Sequence, residues 1–262
     1  MTNYKTILIG NNPYSYDWLI SLNLIKHNKN IILYDFENLK DIDDLILKNN
    51  IEFILPLSNK DYNLISKFDI KNNIKIVYPN NQTQELLHNK NLFTKFMLNN
   101  FVDFIPEIYY LDEIKIKDIQ YPAIYKPMFS TNGTNMFILF NYNDFLNLKN
   151  KNNIQQYIID KYEYGAYMLC INGIIINYKI IRQLFNDFNI KKNNFSKNYE
   201  NVDFFDISIF QQIISKLNYS GGINFDFKFK VNTNKLYIFE INPRFGGSAF
   251  TINFIYELLC IE

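Results

Sequence analysis

Arginine is nearly missing from this chain. Of its 27 basic side chains only Arg182 and Arg244 are arginine. Histidine is as scarce, with His27 and His88 alone, which leaves little material for a histidine metal site or a Ser-His-Asp triad. The two cysteines, Cys170 and Cys260, lie far apart without metal-ligand spacing, and each is expected to be a buried reduced thiol. No apolar run has the length of a transmembrane helix. Residues 1–5 lead straight into a strand pattern, not a signal peptide, so a cytoplasmic protein is expected, without membrane contact. The formal net charge of +1 offers no basic field for nucleic acid and no acidic tail. Glycine numbers eight in 262 residues, and each glycine sits at a junction between expected elements. What remains is abundant: 48% hydrophobic residues, enough for a sizeable core, within a composition rich in Asn, Ile, Lys, Tyr and Phe. Asn-rich stretches such as 191–194 read as solvated loops and the bias as compositional drift.

Two patterns follow one another. Over the first eighty residues short apolar runs alternate with helical periods. Strands are expected over 5–9, 30–34, 53–56 and 75–78, and helices over 14–27 and 39–47. That is an open α/β sheet with crossover helices. The loop Gly10-Asn11-Asn12-Pro13 lacks the G-x-G-x-x-G spacing of a dinucleotide site. From Lys90 the pattern becomes α+β: a helix over 90–99, a strand after Ile105-Pro106, then hairpin-like strands over 123–126, 136–140, 157–160, 167–171 and 174–185. A helix over 207–217 precedes two long strands, 223–230 and 235–241, joined by a turn at 232–234.

Chemistry concentrates in three places. Asp226, within Phe225-Asp226-Phe227, and Glu240, within Phe239-Glu240-Ile241-Asn242-Pro243-Arg244, are carboxylates flanked by apolar strand residues. Burying them unpaired is costly. Glu240 and Asn242 fall on one face of a strand, so Asp226, Glu240 and Asn242 form an all-oxygen set suited to a hard cation such as magnesium. A lysine-paired structural network is the plainer alternative. Second, Lys126 stands inside the apolar strand Tyr121-Pro122-Ala123-Ile124-Tyr125-Lys126, where an ammonium needs an anion. The loop Ser130-Thr131-Asn132-Gly133-Thr134 follows; it is not a Walker A loop, and reads equally as a phosphate loop or as an ordinary hairpin loop. Third, Asp160-Lys161-Tyr162-Glu163-Tyr164-Gly165 reads as an extended linker whose backbone could bond an adenine edge. The planar guanidinium of Arg182 or Arg244 suits carboxylate or phosphate oxygens, or a structural ion pair.

In their order these segments resemble the ATP-grasp superfamily, of the carbamoyl-phosphate-synthase and carboxylate–amine or thiol ligase type. The match spans most of the chain. Lys90 before Phe104-Ile105-Pro106, Lys126 in P-x-x-x-K-P, the hinge from Asp160 to Tyr167, and Glu-Ile-Asn-Pro-Arg with Gly246-Gly247 carry it. The resemblance implies an ATP-grasp fold behind an N-terminal Rossmann-like pre-ATP-grasp domain. It places the pre-grasp domain at 1–85 and the grasp domain at 86–262, with a lid at about 120–163 and a C-terminal part at about 164–262. It further implies ATP held by Lys90, Lys126, residues 130–134 and the hinge residues Asp160, Lys161, Tyr162, Glu163 and Tyr167. Magnesium or manganese would lie on Asp226, Glu240 and Asn242, with Arg244 and Lys126 catalytic. Arg182, Arg244, Gly246 and Gly247 would face substrate. The implied activity joins a carboxylate to an amine through an acyl phosphate. An ATP-binding module without turnover, and a phosphotransferase or synthase using a small acid, stay open. Two departures stand out: Tyr167 occupies the position where the family carries a ribose-binding glutamate, and the chain ends at Glu262, where many relatives run on. The expectation at that end is a substrate surface that is reduced or completed by a partner chain or a second copy. The apolar stretch 250–261 either covers a core or faces such a partner.

Overall fold

The computed structural model describes residues 7–10, 31–34, 42–56, 59–68, 70, 74–130, 134–184, 199–203, 205–231 and 233–245. Three sheets organise them. The first is parallel, with the order β2-β1-β3-β4. Its strands are β1 (Ile7–Gly10), β2 (Ile31–Tyr34), β3 (Phe53–Leu55) and β4 (Lys75–Ile76). Helix α1 (Ile42–Asn49) buries Ile42 and Ile46, one turn apart, against Ile51, Ile54 and Ile65. Ile65 ends α2 (Asn59–Ile65), a helix the apolar periodicity did not reveal. The expected helix over 14–27 lies outside the described residues.

Helices α3 (Asn81–His88) and α4 (Lys90–Asn100) follow, and asparagine opens both. The Asn80 side chain accepts from Thr83 N–H, and the Asn89 side chain accepts from Asn91 and Leu92 N–H. The second sheet is antiparallel, in the order β6-β5-β9-β7-β8. It contains β5 (Ile108–Leu111), β6 (Ile114–Lys115), β7 (Ala123–Tyr125), β8 (Phe137–Leu139) and β9 (Asn153–Gln156). Helix α5 (Tyr142–Leu146), started by an Asn141/Asp144 capping box, lays Phe145 into the Tyr109–Tyr125–Leu139 core.

One expected strand moves. Residues 157–160 are a connector, and the strand is β9, four residues earlier. Its polar sequence hid it: Asn153 and Gln155 are buried, and Asn153 donates to the Thr94 hydroxyl at 2.8 Å.

The third sheet, also antiparallel, runs β12-β11-β10-β13-β14. Its strands are β10 (Tyr162–Ile171), β11 (Ile174–Leu184), β12 (Tyr199–Asn201), β13 (Gly221–Lys230) and β14 (Lys235–Asn242), with α6 (Ser208–Leu217) before β13. Strand alternation divides this sheet. Ile223, Phe225 and Phe227 of β13, Ala166 and Met168 of β10 and Ile238 and Ile241 of β14 join Phe210, Ile213 and Ile214 of α6 in the main core. Asn224, Asp226 and Lys228 take the other face, towards the second sheet.

Strand β10 starts at Tyr162, so the linker is confined to residues 157–161. Gly165 therefore lies within a strand, not at a junction. A Cβ there would come within 3.0 Å of the Tyr167 ring, which lies across it. Gly222 is likewise a packing glycine. A Cβ on it would come within 2.6 Å of the Phe245 ring, so only glycine lets the turn after β14 fold back over β13. No helix among the described residues is long and apolar enough to cross a membrane.

Candidate active site

The site starts from the register of β13 and β14. Asp226 stands opposite Glu240, and Asn224 opposite Asn242, all on the face turned from the core. The Asp226 carboxylate accepts from both amides: Asn224 Nδ2 at 3.1 Å on Oδ1 and Asn242 Nδ2 at 3.2 Å on Oδ2. Two hydrogen bonds to the ionised form compensate its burial, for Asp226 is 4% exposed.

Next to Asp226 the ladder slips. Phe227 pairs with Ile238, which leaves Phe239 as an extra residue. The Phe239 carbonyl accepts a bond of 2.9 Å from Lys126 Nζ, which also sits 5.2 Å from the Phe239 ring centroid. Lys126 follows β7, anchored by its N–H on the Asn153 carbonyl at 2.8 Å. Its ammonium thus crosses from the second sheet to the third. Burial, and then the nearby Lys90 charge, push its pKa down to about 7, against the opposing pull of Glu240, Glu163 and Asp226.

Lys90 arrives from another direction. It is the first residue of α4, and its N–H donates to the Met128 carbonyl at 2.9 Å, which ties the helix start to the strap after β7. Its buried ammonium meets Glu240 Oε1 at 2.9 Å. Two lysines from separate elements therefore converge on one strand pair that carries two carboxylates and two amides. Such a cluster can hold a polyanion only if further positive charge balances its carboxylates.

A family profile described as the ATP-grasp domain matches residues 87–248. The chain belongs to the ATP-grasp family. The large chain of carbamoyl phosphate synthase from Methanobrevibacter smithii is 22% identical over 248 residues, covering 79% of this chain. This chain spans about a fifth of that relative, 22% of its length. Among solved structures, D-alanine–D-alanine ligase from Bacillus anthracis superposes with a TM-score of 0.57 at 17% identity, over 98% of both chains. A biotin carboxylase β,γ-ATP complex from Campylobacter jejuni gives a TM-score of 0.57 at 15% identity, over 98% of this chain and 70% of that one. At such identities these likenesses establish the ATP-grasp fold.

The ATP-grasp family uses magnesium. The donors are carboxylate and carboxamide oxygens, the class a hard cation takes. Asn224 Oδ1 is buried without a hydrogen-bond partner beside Asp226, an orphaned acceptor in the right place. Lys90 Nζ is the cation that now balances Glu240. The residues fit.

Other expected residues scatter. Arg182 is on the opposite face. It lies across from Tyr164, whose ring stacks on Phe227 at 5.2 Å, and its Nε and Nη2 both bind Glu200 at 2.6 Å. An exposed ion pair holds it, and the structure does not bring it to the carboxylates. Asp160 Oδ1 accepts from Tyr162 N–H at 3.1 Å, and the Lys161 ammonium lies over the Tyr162 ring at 4.8 Å. Tyr167 is fully buried next to Asn224. Ser130 is half-buried and Thr134 exposed. Thr131, Asn132, Gly133, Gly246 and Gly247 lie outside the described residues. Arg244 is half-buried, and its charge joins burial and Lys90 in lowering the pKa of His88. His88, whose ring lies 5.8 Å from that of Phe129, was not singled out from sequence. Neither was Asn224, although its place two residues before Asp226 was a usable signal.

Proposed function

We propose that this ATP-grasp chain is an ATP- and magnesium-dependent ligase joining a carboxylate to an amine through an acyl phosphate. The observation that carries the reading is the convergence of the Lys90 and Lys126 ammonium groups on the Asp226–Glu240 strand pair. The names of the similar proteins support it: one is a ligase of two D-alanines and one a carboxylase seen with an ATP analogue. In this reading residues 1–85 form the pre-grasp domain, strands β7–β9 fall within a lid over about 120–163, and residues from about 164 complete the grasp.

Asp226, Glu240 and Asn242, with Asn224 behind them, would hold magnesium or manganese, which screens the triphosphate and the charge that develops on it. Lys126 and Lys90 bind phosphate oxygens from the lid side and from the start of α4. The substrate carboxylate attacks the γ-phosphorus, the bond from that phosphorus to the bridging oxygen breaks, and ADP leaves. Arg244 faces the acyl phosphate. An amine then attacks the acyl carbon, phosphate departs with the C–O bonding electrons, and solvent takes the amine proton. No protein nucleophile is needed; positioning and electrostatics carry the rate.

The test is ATP turnover with hydroxylamine as a general amine, across a panel of amino acids and small carboxylic acids. The expected outcome is phosphate release together with an acyl hydroxamate, only when one acid class is present, and reduced to background by EDTA. Nucleotide binding without hydroxamate from any acid would favour a non-catalytic ATP-binding module instead. A stable phosphorylated product in phosphorus NMR would favour a phosphotransferase.

A further inference from the structure

The two ammonium groups of the site land on neighbouring residues of β14: Lys90 Nζ on Glu240 Oε1 and Lys126 Nζ on the Phe239 carbonyl, each at 2.9 Å. Like charges so close repel, and the Lys90 charge is felt at Lys126. Their spacing therefore needs support from behind. One residue bonds to both lysines. Asn153, the first of β9, is 1% exposed. Its carbonyl accepts the Lys126 N–H at 2.8 Å. Its Nδ2 donates to Thr94 Oγ1 at 2.8 Å and reaches the Lys90 carbonyl at 3.4 Å. The Thr94 hydroxyl, one turn further along α4, donates to that same carbonyl at 2.7 Å. Asn153 thus holds Lys126 by its main chain and the start of α4 by its side chain.

Stability alone does not account for an asparagine here. Among the described residues Asn153 Oδ1 is buried without a hydrogen-bond partner, a cost that an apolar side chain in β9 would avoid. The Thr94 hydroxyl does not need Asn153 either, since it already bonds back to Lys90 within its own helix. A second contact docks the same helix on the same sheet from the surface: Lys95 Nζ meets Asp112 Oδ2, just after β5, at 2.5 Å. The buried link from Asn153 differs from it in ending on both phosphate-binding lysines of the reading above.

We infer that Asn153 is a positioning residue for phosphate binding: through Thr94 it clamps the first turn of α4 to β9 and so keeps the Lys90 ammonium in register with that of Lys126. The inference rests on the nucleotide reading and adds to it a residue outside the phosphate contacts that sets their geometry. With the clamp in place the two lysines are ordered before a triphosphate arrives; without it, binding has to order them.

The experiment is calorimetry of the full chain with magnesium and ATP. Thr94→Val keeps the volume of the side chain and removes the relay, whereas Thr94→Ser keeps the hydroxyl. Thr94→Val and Asn153→Ala are each expected to weaken ATP binding about ten-fold, within the range that a small misplacement of binding groups costs. Thr94→Ser stays close to the wild type, and the double variant Asn153→Ala/Thr94→Val is no weaker than the poorer single one, because both cut one connection. In a Lys126→Met background Thr94→Val changes the affinity by less than about two-fold, since no second ammonium is left to keep in register. A residue that merely supports the fold would cost the same factor in both backgrounds. Lys95→Met, which releases the surface contact, leaves ATP affinity unchanged. Thermal unfolding confirms that each variant is folded, and the Thr94 pair carries the test if Asn153→Ala is not. Failure of the wild type to bind ATP would overturn the nucleotide reading itself. ATP binding undiminished in Thr94→Val, a loss of the same size in the Lys126→Met background, or an equal loss in Lys95→Met would overturn this inference alone.

Discussion

Glu240→Ala is expected to lower ATP-dependent phosphate release by on the order of 10³-fold, the scale on which loss of one preorganised electrostatic group acts. Two effects add. The substitution takes away two oxygens opposite Asp226, the carboxylate that β14 contributes to the donor set. It also leaves the buried Lys90 ammonium, now 2.9 Å from Glu240 Oε1, without its carboxylate. Fold loss is not expected to explain the result. The Glu240 side chain is 29% exposed, and the β13–β14 ladder does not depend on it. The measurement is the initial rate at saturating ATP and magnesium, with thermal unfolding as the control. Full turnover by the variant would remove the metal role from Glu240.

Lys126→Met is expected to weaken nucleotide binding by roughly 10²-fold, the weight of a buried charge-assisted contact. It should also change how binding depends on pH. Burial foremost, and Lys90 second, lower the Lys126 pKa to about 7 from the ordinary 10.5. A depressed amine pKa makes the charged form unfavourable in the folded state. The stability contribution of this group therefore rises as pH climbs from about 7 towards 10.5, and below about 7 the full penalty applies. Methionine removes that penalty, so the variant without ligand gains stability over the wild type most strongly at pH 6. A triphosphate beside the amine restores its proton. Wild-type binding at pH 8 should take up close to one proton, and binding at pH 6 far less. Calorimetry in buffers of different ionisation enthalpy reads this directly, and Lys126→Met should lose the uptake. Equal proton uptake in variant and wild type would assign the effect to another group.

The paired carboxylate strands were legible because their chemistry breaks the apolar alternation: Asp226 and Glu240 stand out among phenylalanines and isoleucines. Lys126 was legible for the same reason. Asn224 carries no charge and passed as one of many asparagines, although only its neighbour Asp226 gives it meaning. The same bias masked local structure. Asn80, Asn89 and Asn141 cap helices, and Asn50, Asn135, Asn172, Asn218 and Asn234 adopt positive φ, a task more often left to glycine. Part of what looked like drift is capping and turn chemistry.

Strand β9 was missed because its residues are polar, and the Asn153 amide finds its partner on α4, a contact that no local pattern records. The expected linker is shorter than the sequence suggests, since β10 pairs with β11 from Tyr162 onwards. Arg182 stands apart from the carboxylate pair. Rarity marked it, but the parity of strand positions decides which face a side chain takes, and its partner across the ladder is Tyr164 on the core side. The bulge at Phe239, which frees a carbonyl for Lys126, has no sequence signature.

The central claim is that the cluster of Asp226, Glu240 and Asn242 grips divalent cations against a triphosphate that Lys90 and Lys126 hold from the other side. Anomalous diffraction from crystals grown with manganese and a non-hydrolysable ATP analogue tests it most directly. The predicted map has a manganese peak within about 2.6 Å of oxygens from both Asp226 and Glu240, with phosphate oxygens between that peak and the Lys126 ammonium. A peak elsewhere on the chain, or a triphosphate out of reach of both lysines, would contradict it.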